Sequence, residues 1–549
     1  MKRTCLLLVF LYAPALLLPA STRAAELWVG ADGACNTSSL ADAIATARSS
    51  PEADVIRLAR NQPYENQAVR IDTSVDLVGG YPNCGAGERA GHTPIAGTGS
   101  RAVIVVDGGS GADGIDVRLE GLDVSGGGAT REAAEWGGIS IRGAARVRLS
   151  DSIVHHNDAS LAWGYSDPLG SGLSIDGARA SAVLEHGIRI HDNKAPTGGG
   201  IGVRGGTLRI LPHDISIERN QAGGGGGIAV LDNGKAAIWA DAGDPALPVT
   251  GVRIAGNVVA GDGGGILVSQ AEWSADDVIV QGNHAQGLGS AIAVGYRAVA
   301  RLARRPGPDA RHCPPELDCL RLSGNGPNTT IRVDGGGLLV LDGVTMRENV
   351  SSTQPISVSG ERSTLRIFGS LVSNTSSNCY YHLARMQGGT FEFEHSTFAR
   401  IGAECWGQPM IIGYASSGLD GTNVVGRASL VYGFPTILQP PKTSPLYSEH
   451  YDCVMKDGGA PESAAERSSI GPIRFVDAAN GNFRLTADNE AIDYCDDSAP
   501  SSRALDLDRQ PRGLDSEAHA DRHGPYDLGA YEFGTLPDRV FSNGFDARR

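Results

Sequence analysis

The sequence predicts an all-β protein: a right-handed parallel β-helix solenoid with an N-terminal capping helix and a C-terminal β-rich module. Three observations predict it. One unit recurs between about Trp136 and Val294, its apolar residues alternate with period two, and glycine runs with a single asparagine mark where the chain turns. The clearest copy is Ile215-Ser-Ile-Glu-Arg-Asn220 followed by Gly224-Gly-Gly-Gly-Ile228-Ala-Val230. Ile188–Asn193 with Gly198–Val203, Val252–Asn257 with Gly263–Val268, and Val278–Asn283 with Ala291–Val294 repeat it, and weaker copies stand at Ile153–Asn157 with Leu173 and at Gly137–Ile141. Asn157, Asn193, Asn220, Asn257 and Asn283 follow one another at 26 to 37 residues, the scale of a solenoid repeat. Pairs such as Ile215 and Ile217, or Ile228 and Val230, give a strand with one buried face, and no helical face can be drawn through them. Strands this short bury that face only by stacking, coil on coil, at roughly 4.8 Å.

The turn residues fit this winding. Glycine supplies positive φ between faces. Asparagine tolerates the left-handed region, and stacked amides form a hydrogen-bonded ladder between coils. On these residues the chain resembles the pectin-lyase-like superfamily, and its Ile-x-x-Asn and Gly-Gly-Gly-Ile pair is similar to the repeats of polymorphic outer-membrane proteins. The resemblance implies the fold and leaves catalysis open.

Read in order, residues 1–24 form a signal peptide: Lys2 and Arg3 precede the apolar run Cys5–Leu18, and small residues lie at Ala20–Ala24. The apolar run is shorter than a spanning helix needs, so no transmembrane segment is expected after cleavage. Residues 25–110 hold the first strand, Glu26–Val29, and the first coils. Within them Ser38 and Ser39 cap a short helix with Leu40, Ala43, Ile44 and Ala47 on one face, a lid for the apolar end of the solenoid. Residues 111–435 carry the main coil stack, interrupted at Arg301–Leu320 by a loop rich in proline with two cysteines. Composition changes near Gln439-Pro440-Pro441.

Residues 436–534 then present Phe475–Leu485, Ala491-Ile-Asp493, Asp506-Leu-Asp-Arg-Gln-Pro-Arg512 and Asp527-Leu-Gly-Ala-Tyr-Glu532, in that order. Together these resemble the choice-of-anchor Q domain of secreted and surface β-helix proteins of bacteria. Asp488-Asn-Glu490 and Tyr494-Cys495 depart from the Ser-Pro and Gly usual around Ala-Ile-Asp. The tail, 535–549, is similar to the Phe-x-x-Gly-Phe-Glu endings of some proteobacterial secreted proteins. Export to the outside or outer surface of a Gram-negative cell is the implied address.

Composition excludes some functions. A formal charge of −15 argues against a nucleic-acid partner bound through phosphate neutralisation. Without Cys5, eight cysteines remain: Cys35, Cys84, Cys313, Cys319, Cys379, Cys405, Cys453 and Cys495. An even set in an exported chain suggests disulfides, and sequential pairing is the expectation; their spacing fits no zinc pattern. No metal or cofactor is indicated. Calcium is conceivable, but the sequence has no Gly-Gly-x-Gly-x-Asp run.

Aligning each coil on its Asn yields the candidate site. Residues two before it point outward and alternate with the buried pair. His155, His156, Arg189, His191, Asp192, Lys194, Glu218 and Arg219 therefore converge on one side wall. Such a patch supplies the base, acid and carboxylate-binding Arg of a uronate lyase, or ligands for a metal; it is equally a solvated outer face. Trp136, Trp163, Tyr165, Trp239, Trp273 and Tyr296 lie near turns and loops, where aromatic rings stack on sugars or simply pack locally. Ser140, Ser174, Gly202, Ala229, Leu267 and Ala293 predict a flat strip beside them. The leading expectation is a non-catalytic, exported or cell-surface scaffold, binding polysaccharide or cell-surface glycan in the manner of an adhesin, or purely structural with no ligand. The alternative is a polysaccharide lyase or glycoside hydrolase using the polar patch. Oligomeric state is left open.

Overall fold

The computed structural model describes residues 24–50, 52–130, 135–160, 169–239, 247–304, 318–373, 382–401, 407–414, 421–440, 446–496 and 505–534. It is a parallel β-helix. One coil illustrates the rest: Ile201–Arg204, Thr207–Ile210 and Ile215–Glu218 are its three strands, and a short fourth, Gln221–Gly224, follows the Asn turn. Each strand pairs in parallel with its counterpart one coil away, as Ile215 to Ile188 on one side and to Val252 on the other. The first-strand ladder contains 13 strands, from Val69–Ile71 to Leu438–Gln439, and the short fourth ladder has five.

The alternation read from sequence fixes which side chains enter the core. Ile188, Ile190, Ile215, Ile217, Val252, Ile254, Val278 and Val280 are all buried on the inside of the third ladder, and Ile228, Val230, Ile266 and Val268 line the first. Towards the C-terminal coils the filling turns aromatic, with Phe391, Phe393 and Phe398 in edge-to-face contact and Tyr451 beside them. Edge-to-face pairs suit the ring quadrupole.

The lid lies where the sequence puts it. Helix α1, Leu40–Ala47, is capped by the Ser39 hydroxyl accepting from the Asp42 amide at 3.2 Å, and buries Leu40, Ala43, Ile44 and Ala47 against the first coil. Cys35–Cys84 and Cys453–Cys495 are disulfides, as sequential pairing has it, and Cys319 is also disulfide-bonded. Cys313, Cys379 and Cys405, the signal segment and the tail lie outside the described residues.

Two differences concern the C-terminal part. The coil does not stop at 435: Tyr447–Lys456 still pairs in parallel with Thr422–Tyr432, and Ala465–Glu466 and Ser469–Ile470 continue the ladder. The Pro-Pro stretch hides this continuation from a reading of composition. Beyond Ile470 the module is mostly irregular, with one two-stranded antiparallel pair, Phe475–Asp477 and Asn482–Leu485. Its acidic motif residues hold turns together. Asp506 accepts from the Glu532 amide, Asp527 from the Asp493 amide, and Glu532 from the Gly513 amide, at 2.8 to 2.9 Å, around the fully buried Arg512 guanidinium.

This module lies against the outer face of the third ladder. Leu371 and Ala399 on the wall form one apolar cluster with Phe483, Leu507 and Ala530. The Ala530 amide donates to Thr397 Oγ1 at 3.0 Å and the Gly529 amide to the Ala428 carbonyl at 2.9 Å. The same ladder is uncovered around His155–Gln281.

Candidate functional site

The Asn turn is the scaffold of the site. Each Asn backbone N–H and side-chain Nδ2 donates to the next Asn Oδ1, from Asn157 through Asn193, Asn220, Asn257, Asn283 and Asn325 to Asn349, at 2.9 to 3.1 Å. The second Nδ2 proton reaches a carbonyl on a neighbouring coil, as Asn220 to Ile190 at 3.1 Å. All seven are buried, and so satisfied that they have no capacity left for a ligand. The third glycine of a run packs against this ladder: a Cβ on Gly200 would stand 2.9 Å from Asn220 Nδ2 and 2.8 Å from Ile217 Cγ2. There, close approach rather than positive φ demands glycine.

The residue before each Asn is left-handed. Gly256, Gly282 and Gly324 occupy this position with φ of 63 to 64°, whereas His156, Asp192 and Arg219 occupy it in three consecutive coils with φ of 52 to 55°, and Glu348 occupies it before Asn349 with φ of 56°. The left-handed conformation costs a residue with a Cβ about 1–2 kcal/mol. Four side chains thus stand where glycine would relieve strain, three of them in adjacent coils, and strained positions of this kind concentrate at functional sites.

Their contacts form one connected chain along the wall. His155 Nε2 meets Asp123 Oδ1 at 2.7 Å and His155 Nδ1 meets His156 Nδ1 at 2.6 Å. With Asp123 ionised, His155 donates from Nε2 and accepts at Nδ1, so His156 carries its proton on Nδ1 and leaves Nε2 as a base. The His155 ring stacks on His191, with centroids 5.2 Å apart and planes 11° from parallel. His191 Nδ1 meets Asp192 Oδ2 at 2.7 Å, and Arg219 holds the Asp192 carboxylate from Nε and Nη2 at 3.1 and 2.9 Å. Hydrogen bonding from Arg219 is the largest effect on the Asp192 carboxyl; burial opposes it, and hydrogen bonding from His191 with the charges of both partners keeps the group below the usual carboxylate range. Glu218 continues the chain by accepting from Arg253 at 2.7 Å, and Arg253 reaches Gln281 at 3.2 Å.

Of the eight residues the alignment gathers, His155, His156, His191, Asp192, Glu218 and Arg219 are joined in this chain. Lys194 lines the adjoining concavity, and Arg189 is exposed on the same face but outside the chain. The concavity is open and holds about 410 Å³, lined by His156, Asp158, Asp192, Lys194, Arg219 and Gln221 with the Asn ladder as floor. Asp123, Asp158, Gln221 and Arg253 are additions. Asp123 was within reach of the same alignment, since Leu122–Ser125 is the preceding rung, with Asp123 opposite Ile153. Such a surface offers hydroxyl groups both donors and acceptors, with one imidazole nitrogen free to accept a proton.

The aromatic expectations divide. Trp273 is a correction: it points inward, buried in the core with Ala236 and Ala300 as its rung neighbours, and cannot stack on a ligand. Trp136 is a second: it is buried, its Nε1 donates to the Leu169 carbonyl at 2.7 Å, and it belongs to a small cluster with Leu169 and Ala229. That cluster also corrects the open strip, because Ser140, Ser174, Ala229 and Ala293 are buried. Trp239 and Tyr296 are exposed, the former with Arg209 over its ring at 5.4 Å; Trp163 and Tyr165 lie outside the described residues.

For a cation, the carboxylates of Asp493, Asp515 and Asp521 come within 4.8 Å of one another. Asp493 there already accepts from the Ser516 amide at 3.2 and 3.3 Å, so the group serves as a turn cap. No protein-family model matches this chain, and no curated protein matches it.

Proposed function

We propose that this protein is an exported, non-catalytic scaffold whose side wall binds a glycan along the Asn turn. One observation carries the reading: three consecutive left-handed positions bear His156, Asp192 and Arg219 where flanking coils have glycine, and these side chains border a shallow concavity of about 410 Å³. Shallow, hydroxyl-matched surfaces on a rigid solenoid suit an extended saccharide. Arg219 is engaged bidentately by Asp192, so it is not free to take a substrate carboxylate as a uronate lyase requires. The address follows the resemblance to secreted and surface β-helix proteins with a choice-of-anchor Q domain. Disulfides support an oxidising compartment, and no helix among the described residues is long and apolar enough to cross a membrane.

The alternative is a carbohydrate-active enzyme, and the Asp123–His155–His156 relay favours it, since it supports a base at His156 Nε2. A panel of acidic and neutral polysaccharides separates the two. Retention of a glycan without new reducing or unsaturated ends supports the scaffold. Turnover abolished by His156→Gln establishes the enzyme.

A further inference from the structure

A second depression lies on the outer face of the ladder formed by Thr207–Ile210, Lys235–Ile238, Glu272–Ala275 and Val299–Ala303, away from the Asn turn. It is open and holds about 460 Å³, within the roughly 300–1,000 Å³ that small-molecule sites occupy. Outward positions elsewhere on this ladder carry long side chains joined by ion pairs, as Arg146 with Asp116 at 2.6 Å and Arg366 with Glu392 at 2.9 Å. Here two successive rungs present Ala237 and Ser274 instead. The face sinks between Arg209, opposite Ala237, and Arg301, opposite Ser274. Those arginines stand about 14 Å apart at the strand spacing of ~4.8 Å, and the floor between them is flat sheet.

The rim combines an apolar ring with groups of both signs. Trp239, 40% exposed, borders the depression at the end of its strand, and the Arg209 guanidinium lies 5.4 Å from the ring centroid. That cation–π contact steadies the indole. Arg301 is exposed and makes no hydrogen bond or ion pair among the described residues. At the other end of the strands Lys235 and Glu272 form an exposed pair at 3.3 Å, which leaves ammonium protons and carboxylate lone pairs to spare. Donors, an acceptor and an indole face together suit a neutral sugar better than an ion of one sign, because hydroxyls donate and accept while the pyranose ring has an apolar face. A flat floor suits an extended chain of equatorially linked rings; axial links make a chain curl away from it.

We infer that this depression binds a neutral, extended oligosaccharide of equatorially linked pyranoses, one ring stacked on Trp239 and hydroxyls taken by Arg301, Lys235 and Glu272. The site uses the indole face and requires no free indole N–H. It lies on a different wall from the glycan site proposed above and does not rest on it. The test is calorimetric titration of the full chain with cellohexaose and with maltohexaose, which has the same rings joined through axial bonds. Cellohexaose is expected to bind saturably, and maltohexaose at least tenfold more weakly. Trp239→Ala, which removes the platform, and Ala237→Gln, which fills the floor, are each expected to weaken cellohexaose tenfold or more. Arg301→Gln is expected to weaken it severalfold, and Arg219→Gln on the side wall to leave it unchanged. Absence of saturable cellohexaose binding to the unmodified protein overturns the inference. So does equal binding of maltohexaose, or unchanged affinity in either Trp239→Ala or Ala237→Gln with native circular dichroism. Loss of cellohexaose binding in Arg219→Gln also overturns it, by moving that sugar to the side wall.

Discussion

The third ladder is one structure with two neighbours. From His155 to Gln281 its outward column reads His155, His191, Glu218, Ala255 and Gln281, and faces solvent or other polar side chains. Further along, Leu371, Ala399 and Leu430 stand on the same outward face beneath the module. Inside, both halves are equally dry. The contrast teaches that the inner positions carry the fold, whereas the outer positions record what lies against each coil.

A glutamate introduced in each half breaks the comparison most sharply. Ala399→Glu places a carboxylate and extra volume beneath Phe483 and Leu507, and is expected to cost at least about 4 kcal/mol. Gln281→Glu puts the same charge on the open wall beside Arg253 and should stay within about 0.5 kcal/mol of the parent. Urea denaturation of both variants checks this; equal effects would mean that the module does not cover the wall.

The third strand is flanked by two different corner ladders, asparagine after it and serine before it. Asn220→Ala strands the Ile190 carbonyl and the Asn193 donors in the interior and is expected to cost about 3 kcal/mol. In the covered half, Ser396 accepts from the Ser370 amide at 3.3 Å and donates to nearby carbonyls, a neutral exchange of about 1 kcal/mol when replaced by Ala. Matched thermal melts rank the two, and an Asn variant no worse than the Ser variant would refute the ladder's primacy.

Acidity distinguishes the covered half further. Burial raises the Glu394 carboxyl to about 7, with Glu392 adding to it and Arg427 and Arg512 opposing. Burial likewise raises Asp527 and Glu532. A carboxyl raised in the folded state stabilises below its unfolded value, and that contribution is lost as pH rises through the folded one. Stability should therefore fall between about pH 4.5 and 7, by up to roughly 3 kcal/mol for Glu394. Glu394→Gln should flatten that fall, read as urea midpoints at pH 5 and pH 8.

Legibility followed locality. Ile217 and Val230, the α1 face and the Asn ladder were readable because each obeys a period within one repeat. The convergence of His155, His191 and Glu218 was readable because stacking makes a column out of a sequence alignment. Trp273 was missed because only the Asn strand was aligned; aligning Lys235–Ile238 with Glu272–Ala275 puts it opposite the inward Ala236. A cavity of about 160 Å³ beneath the C-terminal module has no such signature: Arg347 and Arg509 in its lining are brought together by the docking of a mostly irregular module, and no period links them.

The smallest expected effect bears most directly on the open wall's purpose. His156 has φ of 52° and an exposed ring, and flanking coils place glycine in the same position. If the ring were ornamental, His156→Gly would only relieve the left-handed strain, and stability would rise by up to about 1 kcal/mol. If the ring serves the site, the same variant gains that stability and loses glycan retention, the trade expected where strain is kept for function. Melting and glycan retention measured on one preparation read both quantities. A variant that is more stable and still retains glycan would remove His156 from the site, leaving Asp192, Lys194 and Arg219 to account for binding.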